Sequence, residues 1–327
     1  AYPDDIVNLH RRACAWYEQN NLYSEAIRHA LAAEDFARVA TLLEVAWPAM
    51  RRNRGEATLL RWFRMLPEEL IRVRPALSMI YAWVLLDGNQ LDAVERRLQD
   101  AEQWLQRETE ADAVAEIIVA DEAQWRALPA SIANARAYLA QARGNAADTI
   151  KYAKQPLELL TEENHYERGT SAAFLGLAYW TNGDLEAAYR TFADALAMLQ
   201  LGGGTLSAIG GTSILAYIRV AQGRLHAAAQ ISEQSLRRAA ALDEPLPLAT
   251  ADLHRGLSEI YREWGELTAA AEELQRSQAL GRQATTPSDQ YHRLVAEARL
   301  LATQDDLDGA FDLIQQAEQL YYTLPIP

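Results

Sequence analysis

The feature that most constrains this chain is a spacing. A turn-forming motif, an apolar anchor and an alanine-rich stretch recur as Asn182-Gly183-Asp184-Leu185-Glu186-Ala187-Ala188, Gln222-Gly223-Arg224-Leu225-His226-Ala227-Ala228, Gly265-Glu266-Leu267-Thr268-Ala269-Ala270 and Asp305-Asp306-Leu307-Asp308-Gly309-Ala310. Shorter versions occur earlier, at Gly88-Asn89-Gln90-Leu91-Asp92-Ala93 and Gly144-Asn145-Ala146-Ala147. The anchors Ala146, Leu185, Leu225, Leu267 and Leu307 stand 39, 40, 42 and 40 residues apart. A period of that length marks a repeat array, in which each unit buries its apolar face only against its neighbours. The 327 residues, long for one compact core, then form a stack that grows by addition.

Each motif separates two helical patterns. Before Gly183, Ala172, Leu175, Gly176 and Tyr179 share one face; after it, Ala188, Phe192, Ala195 and Leu199 step by 4, 3 and 4. Gly183 is placed to end the first helix in a left-handed conformation, and Asp184 to cap the second. Small residues at Gly176, Ala188 and Ala195 allow close approach of the two axes, with Tyr179 and Phe192 filling the remaining space. The composition agrees: Ala and Leu dominate, Gly and Pro are sparse, and β-branched runs are lacking, which favours helix over strand. The expected fold is all-α, a superhelical solenoid of antiparallel helix hairpins. The residues match the tetratricopeptide pattern, best as Leu175-Gly176-x-x-Tyr179 with Ala188, Phe192 and Ala195, more loosely as Leu257, Tyr261, Ala270 and Leu274. The unit between them keeps Leu215, Ala216 and Ala228 but has Arg219 at the Tyr position.

The N-terminal third is helical but less regular, with hairpins around Asn20-Asn21-Leu22 and Glu34-Asp35-Phe36, then short helices punctuated by Pro48, Gly55, Pro67 and Pro75. The expected division is 1–127, irregular helical hairpins, and 128–327, repeats of about 40 residues, within one continuous superhelix. Ala1 at the start and Leu-Pro-Ile-Pro at the end suggest a piece cut from a larger protein.

Charge and motifs narrow the function. A formal charge of −14 argues against direct contact with nucleic acid by this segment. One cysteine, Cys14, forms no internal disulfide, and no Cys/His cluster has zinc spacing. A reducing cytoplasm is the expected location, since neither a signal peptide nor an uncharged run of 18 residues is present. Lys151 and Lys154 follow no glycine, so there is no P-loop; Leu201-Gly202-Gly203-Gly204-Thr205 lacks a GK[ST] ending and reads as a flexible connection between repeats. The acids at 162–167 and 305–308 lack EF-hand spacing, and the six histidines make no HExxH. Neither a catalytic constellation, a metal site nor a cofactor is expected in this segment.

The N-terminal stretch carries a more specific likeness. Leu9-His10-Arg11-Arg12-Ala13, Trp16-Tyr17-Glu18-Gln19-Asn20 and Glu25-Ala26-Ile27-Arg28-His29-Ala30-Leu31, with Leu60-Arg61-Trp62, Leu66-Pro67, Arg74-Pro75 and Tyr81-Ala82-Trp83, resemble the helical region of MalT-like regulators, large ATP-binding transcription factors of the LuxR type. The resemblance covers essentially the whole chain. It implies a P-loop NTPase that binds ATP upstream, a helix-turn-helix that binds DNA downstream, and between them this helical region, receiving a small-molecule inducer or a partner protein. The alternative is a stand-alone scaffold or peptide receptor. No membrane contact is expected.

In tetratricopeptide folds the first helix of each pair lines the concave groove. Carrying that over residue by residue gives Asn134, Tyr138 and Gln141, with Ser131, in one repeat; Trp180, with Thr170 and Leu177, in the next; then Ser213 and Tyr217; Asp252, Arg255, Glu259 and Arg262; and His292 and Arg299. Aromatic faces beside amides, hydroxyls and charges suit a sugar or a peptide. The plainer expectation is a solvated inner face with internal Arg–Glu pairs.

Overall fold

The computed structural model describes residues 3–52, 56–88, 90–107, 122–242, 247–281 and 287–322; Gly55 and Asn89 lie outside them. Every regular element among the described residues is a helix. The chain forms two compact units, residues 1–139 with 158–160, and residues 140–157 with 161–327.

The first unit contains α1 (Pro3–Gln19), α2 (Tyr23–Ala32), α3 (Phe36–Arg52), α4 (Glu56–Phe63), α5 (Glu68–Arg72), α6 (Pro75–Asp87), α7 (Leu91–Arg107) and most of α8 (Glu122–Ala142). Pro75 opens α6 and Pro67 caps α5, so both prolines punctuate as expected. Pro48 does not: α3 runs through it. The core gathers Ile27, Leu42, Leu43, Trp62, Phe63, Leu77 and Ile80 from four helices. Helix α6 is buried at ten positions from Pro75 to Leu86, which is why its sequence lacks an amphipathic stripe. Arg74 donates from Nε (3.0 Å) and Nη2 (2.6 Å) to Glu44, and Nη2 also reaches Thr41 Oγ1 at 3.1 Å. Both partners are almost fully buried, an arrangement that holds only while each satisfies the other.

The second unit is a solenoid of hairpins. After α9 (Ala146–Leu159) come α10 (His165–Thr181) with α11 (Leu185–Leu201), α12 (Thr205–Ala221) with α13 (Leu225–Ala240), α14 (Pro247–Glu263) with α15 (Leu267–Gly281), and α16 (Pro287–Thr303) with α17 (Leu307–Tyr321). The recurring motif is the turn within each hairpin. Gly183 has φ +81, its N–H donates to Trp180 O and that of Asp184 to Tyr179 O, and Asp184 accepts from Ala187 N at 3.0 Å. Gly223 (φ +74) and Gly265 (φ +77) repeat the conformation; in the last hairpin Asp305 adopts it at φ +67, while Asp306 caps α17 by accepting from Gly309 N.

The cores straddle hairpins. Ala216 of α12, Ala228 and Ala229 of α13, and Leu257 and Ile260 of α14 form one cluster; Ala270 and Leu274 of α15 meet Ala296 and Leu300 of α16 in another. Each apolar stripe is thus closed by the neighbouring pair. Within the best-matched pair, a Cβ on Gly176 would stand 3.0 Å from that of Phe192, so the absence of a side chain lets α10 and α11 approach. Arg219, the departure from the Tyr pattern, lies 3.4 Å from the ring centre of Tyr189 on the preceding hairpin, a cation–π contact.

A candidate ligand-binding face on the first helices

Helices α12, α14 and α16 pack in succession. On α14, Asp252, Arg255, Glu259 and Arg262 step by 3, 4 and 3 and so share one face. Arg255 Nη2 donates to Asp252 Oδ1 at 2.7 Å, and its guanidinium lies 5.5 Å from the ring centre of Tyr217 on α12. From α16, Arg299 Nη1 reaches Glu259 Oε2 at 3.3 Å, and the same carboxylate oxygen accepts from Arg262 Nη2 at 3.3 Å. Arg262 also pairs with Glu263.

Seven of the groove residues expected from sequence therefore form one electrostatic cluster: Tyr217, Asp252, Arg255, Glu259, Arg262, His292 and Arg299. Burial pushes the Tyr217 phenol up to about 12, so it stays a protonated donor at neutral pH. Although part of His292 is open to solvent, burial of the rest and the positive field of Arg255 hold its imidazole below the usual range, against a smaller opposing pull from Asp252 and Asp289. Asp289, in the first turn of α16, is a member that the groove pattern did not single out. Its only sequence signal is its position one helical turn before His292.

The cluster is not internally satisfied. The Tyr217 hydroxyl and Arg262 Nε are buried polar atoms without a hydrogen-bond partner among the described residues. An unmet buried donor costs about 1–3 kcal/mol, so a ligand or water that supplies acceptors here gains more than one binding an already paired surface.

The remaining expected residues sit elsewhere. Ser213 is buried and donates to Gly210 O of its own helix at 2.7 Å. Trp180 is half-buried against the core formed by Phe192 and Leu196. Gln141 Nε2 is 3.5 Å from Thr181 Oγ1, while its Oε1 is buried without a partner among the described residues. Asn134 and Tyr138 belong to the first unit, where Asn134 is buried and Tyr138 meets the edge of Trp83 at 6.3 Å. Helical spacing assigns a residue to a face but does not say whether a neighbour covers that face.

The other candidate motifs resolve into packing. Gly202 and Gly204 lie against Tyr166: an added Cβ would come within 2.6 Å of its backbone nitrogen at Gly202 and 2.9 Å of its ring at Gly204. The expected flexible connection is a close contact. Cys14 is buried in the first core, and that burial pushes its thiol up, away from the nucleophilic form. His226 tilts against Trp264, and His29 stacks on Tyr17. Among the described residues no group of three or more His, Cys, Asp or Glu is disposed to hold a metal, and no helix is long and apolar enough to cross a membrane.

The pattern of the family described as the MalT-like TPR region matches residues 130–326. This chain belongs to that family. HTH-type transcriptional regulator MalT of Serratia proteamaculans is 26% identical over 322 residues, 97% of this MalT-like chain and 34% of the relative; MalT of Yersinia pestis gives the same identity and coverage. The chain thus spans about a third of the length of the MalT proteins it matches. The serine/threonine-protein kinase PknK of Mycobacterium tuberculosis is 37% identical over 78 residues, 24% of this chain and 7% of the kinase. Among solved structures, the quorum sensor NprR of B. thuringiensis in its apo form superposes with a TM-score of 0.57 at 15% identity, covering 94% of this chain and 77% of that one. NprR in complex with its cognate peptide NprX gives 0.58 at 16%, covering 94% and 82%. At such identity these structures show the fold of the MalT-like region.

Proposed function

We propose that this MalT-like TPR region is the ligand-sensing and protein-interaction part of an ATP-dependent, LuxR-type transcriptional regulator, and that the cluster around Arg255 receives the small-molecule inducer or partner. ATP binding belongs to a separate NTPase domain, DNA binding to a separate helix-turn-helix, and the location is cytoplasmic. The observation that carries the reading is the gathering of seven polar groove residues on α12, α14 and α16, with two buried polar atoms unpaired among the described residues. A ligand that completes those bonds in one arrangement of the hairpins better than in another shifts the population toward it, and that shift is the signal.

Thermal unfolding of the chain against a library of small sugars and metabolites tests this. A specific ligand at 100 times its Kd adds about 2.7 kcal/mol of stability. Arg255→Ala and His292→Ala should each remove that gain while leaving the unliganded fold intact. Reading the gene on both sides tests the wider proposal: no Walker motif upstream together with no helix-turn-helix downstream would sink the regulator reading.

A second reading, a stand-alone peptide receptor, is favoured by the overlay on NprR bound to NprX. Its mark would be no response to any small molecule, with saturable binding of an extended peptide that Arg255→Ala abolishes.

A further inference from the structure

Away from the face just described, the second unit holds a cavity of about 600 Å³ bounded by α11, α12 and α13. Its floor on α12 is Thr205, Ala208, Thr212 and Leu215, which step by 3, 4 and 3. At about 100° per residue this row lies roughly 140° around α12 from Ser213 and Tyr217, so the cavity opens on the other side of the helix from the polar cluster. Its walls are Ala193 and Ala197 of α11 and Ile231 and Ser235 of α13, each pair one turn apart.

The void has a sequence cause. Where α10 meets α11 the contact is filled by Phe192. Between α11 and α13 the described lining residues include Ala193, Ala197 and Ser235 but no aromatic side chain, and the gap is left open. The concavity is partly open to solvent, and its volume falls within the roughly 300–1,000 Å³ of small-molecule pockets.

Charge supplies the second observation. Among the described residues that line the cavity, Arg238 is the only charged one. Its guanidinium has neither an ion-pair nor a hydrogen-bond partner among the described residues, whereas adjacent Arg237 pairs with Glu233 at 3.6 Å. In a chain with 45 acids against 31 Lys and Arg, a cation at the mouth of a partly apolar cavity, with no acid among the described lining residues, is suited to an anion from outside. The Gln200 and Gln234 side chains supply donors near that mouth, while the Thr212 hydroxyl is already given to Ala208 O at 3.0 Å.

We infer that this cavity is a second binding site, for an amphiphile with an apolar chain and a carboxylate head, the chain lying against Leu196, Ile209 and Leu215 and the head on Arg238. The site is independent of the function proposed for the α12–α14–α16 face.

The probe is decanoate below its micellar concentration, titrated into the intact chain by calorimetry with 1-decanol as the uncharged comparator. Decanoate should bind one to one and at least about tenfold more tightly than decanol, the factor expected of one charge-assisted contact. Arg238→Gln, an exposed change that leaves the packing alone, should reduce decanoate to the level of decanol. Ala197→Phe, which places a ring in the opening, should remove both, with circular dichroism showing the helices retained. Arg255→Ala should leave decanoate binding unchanged, which separates this site from the polar face. Equal affinity for acid and alcohol, non-saturating heats, indifference to Arg238→Gln, or loss on Arg255→Ala would each overturn the inference.

Discussion

Arg255 and His292 carry the electrostatics of the candidate face one residue at a time. Replacing Arg255 by Gln removes the positive field that helps burial hold the imidazole down, so the His292 pKa should rise; its Cε1 proton followed by NMR between pH 5 and 8 reads the shift. No rise would mean burial alone sets the value. Stability has its own titrating group in Glu273, bonded to His254 Nδ1 at 2.6 Å and paired with Arg276. Burial raises this carboxyl, but the bonds from His254 and Arg276 outweigh it and the net shift is downward from 4.5. A group depressed in the fold contributes stability that is present above about pH 4.5 and lost as the pH falls through its folded value. Glu273→Gln should therefore lower stability at pH 6 by about 1.5–3 kcal/mol, the range for a bond to a charged group, and flatten the loss between pH 5 and 3, as followed by urea unfolding. These roles were partly legible: the 3, 4, 3 spacing put Asp252 to Arg262 on one face, but nothing in the sequence said that Tyr217 would lie beneath Arg255 or that Asp289 would join them.

At the scale of the element, the hairpin rests on its turn and its closest contact. Gly183 has open space around it and a left-handed backbone, so Gly183→Ala should cost about 1 kcal/mol through conformation alone. Gly202 has an ordinary φ but no room, since its Cβ would press on the Tyr166 backbone, and Gly202→Ala should cost about 1–3 kcal/mol through displacement of α10. Chemical denaturation of the two variants distinguishes the causes, and a Gly202→Ala protein as stable as the parent would contradict the packing described at Tyr166. The motif announced the turn at Gly183 because a left-handed residue leaves a sequence signature. It did not announce the contact at Gly202, because close approach depends on which aromatic ring the neighbouring helix brings. Likewise Pro129 and Pro156 sit inside α8 and α9 and Pro48 inside α3, whereas Pro67 and Pro75 begin helices.

For the second unit as a whole, stability is a sum over neighbouring pairs. Leu257 of α14 is buried among side chains of α12, α13 and α14, so Leu257→Ala should cost about 2–5 kcal/mol. The loss should appear in amide hydrogen exchange first as faster exchange in α12 to α15, and least in α10 and α11, because in a repeat array each unit touches only its neighbours. Uniform acceleration across α10 to α17 would show a single cooperative core instead.

The sequence by itself determined the helical hairpin, the 40-residue period, the left-handed turns and the family, because these follow from local spacing and from backbone preferences that act within a few residues. Only the tertiary structure decided which polar side chains of the first helices meet, which of them are covered, and where α11, α12 and α13 leave a cavity between them. Those outcomes depend on the volumes and charges that separate helices bring to one place, and no single stretch of sequence contains both sides of such a contact.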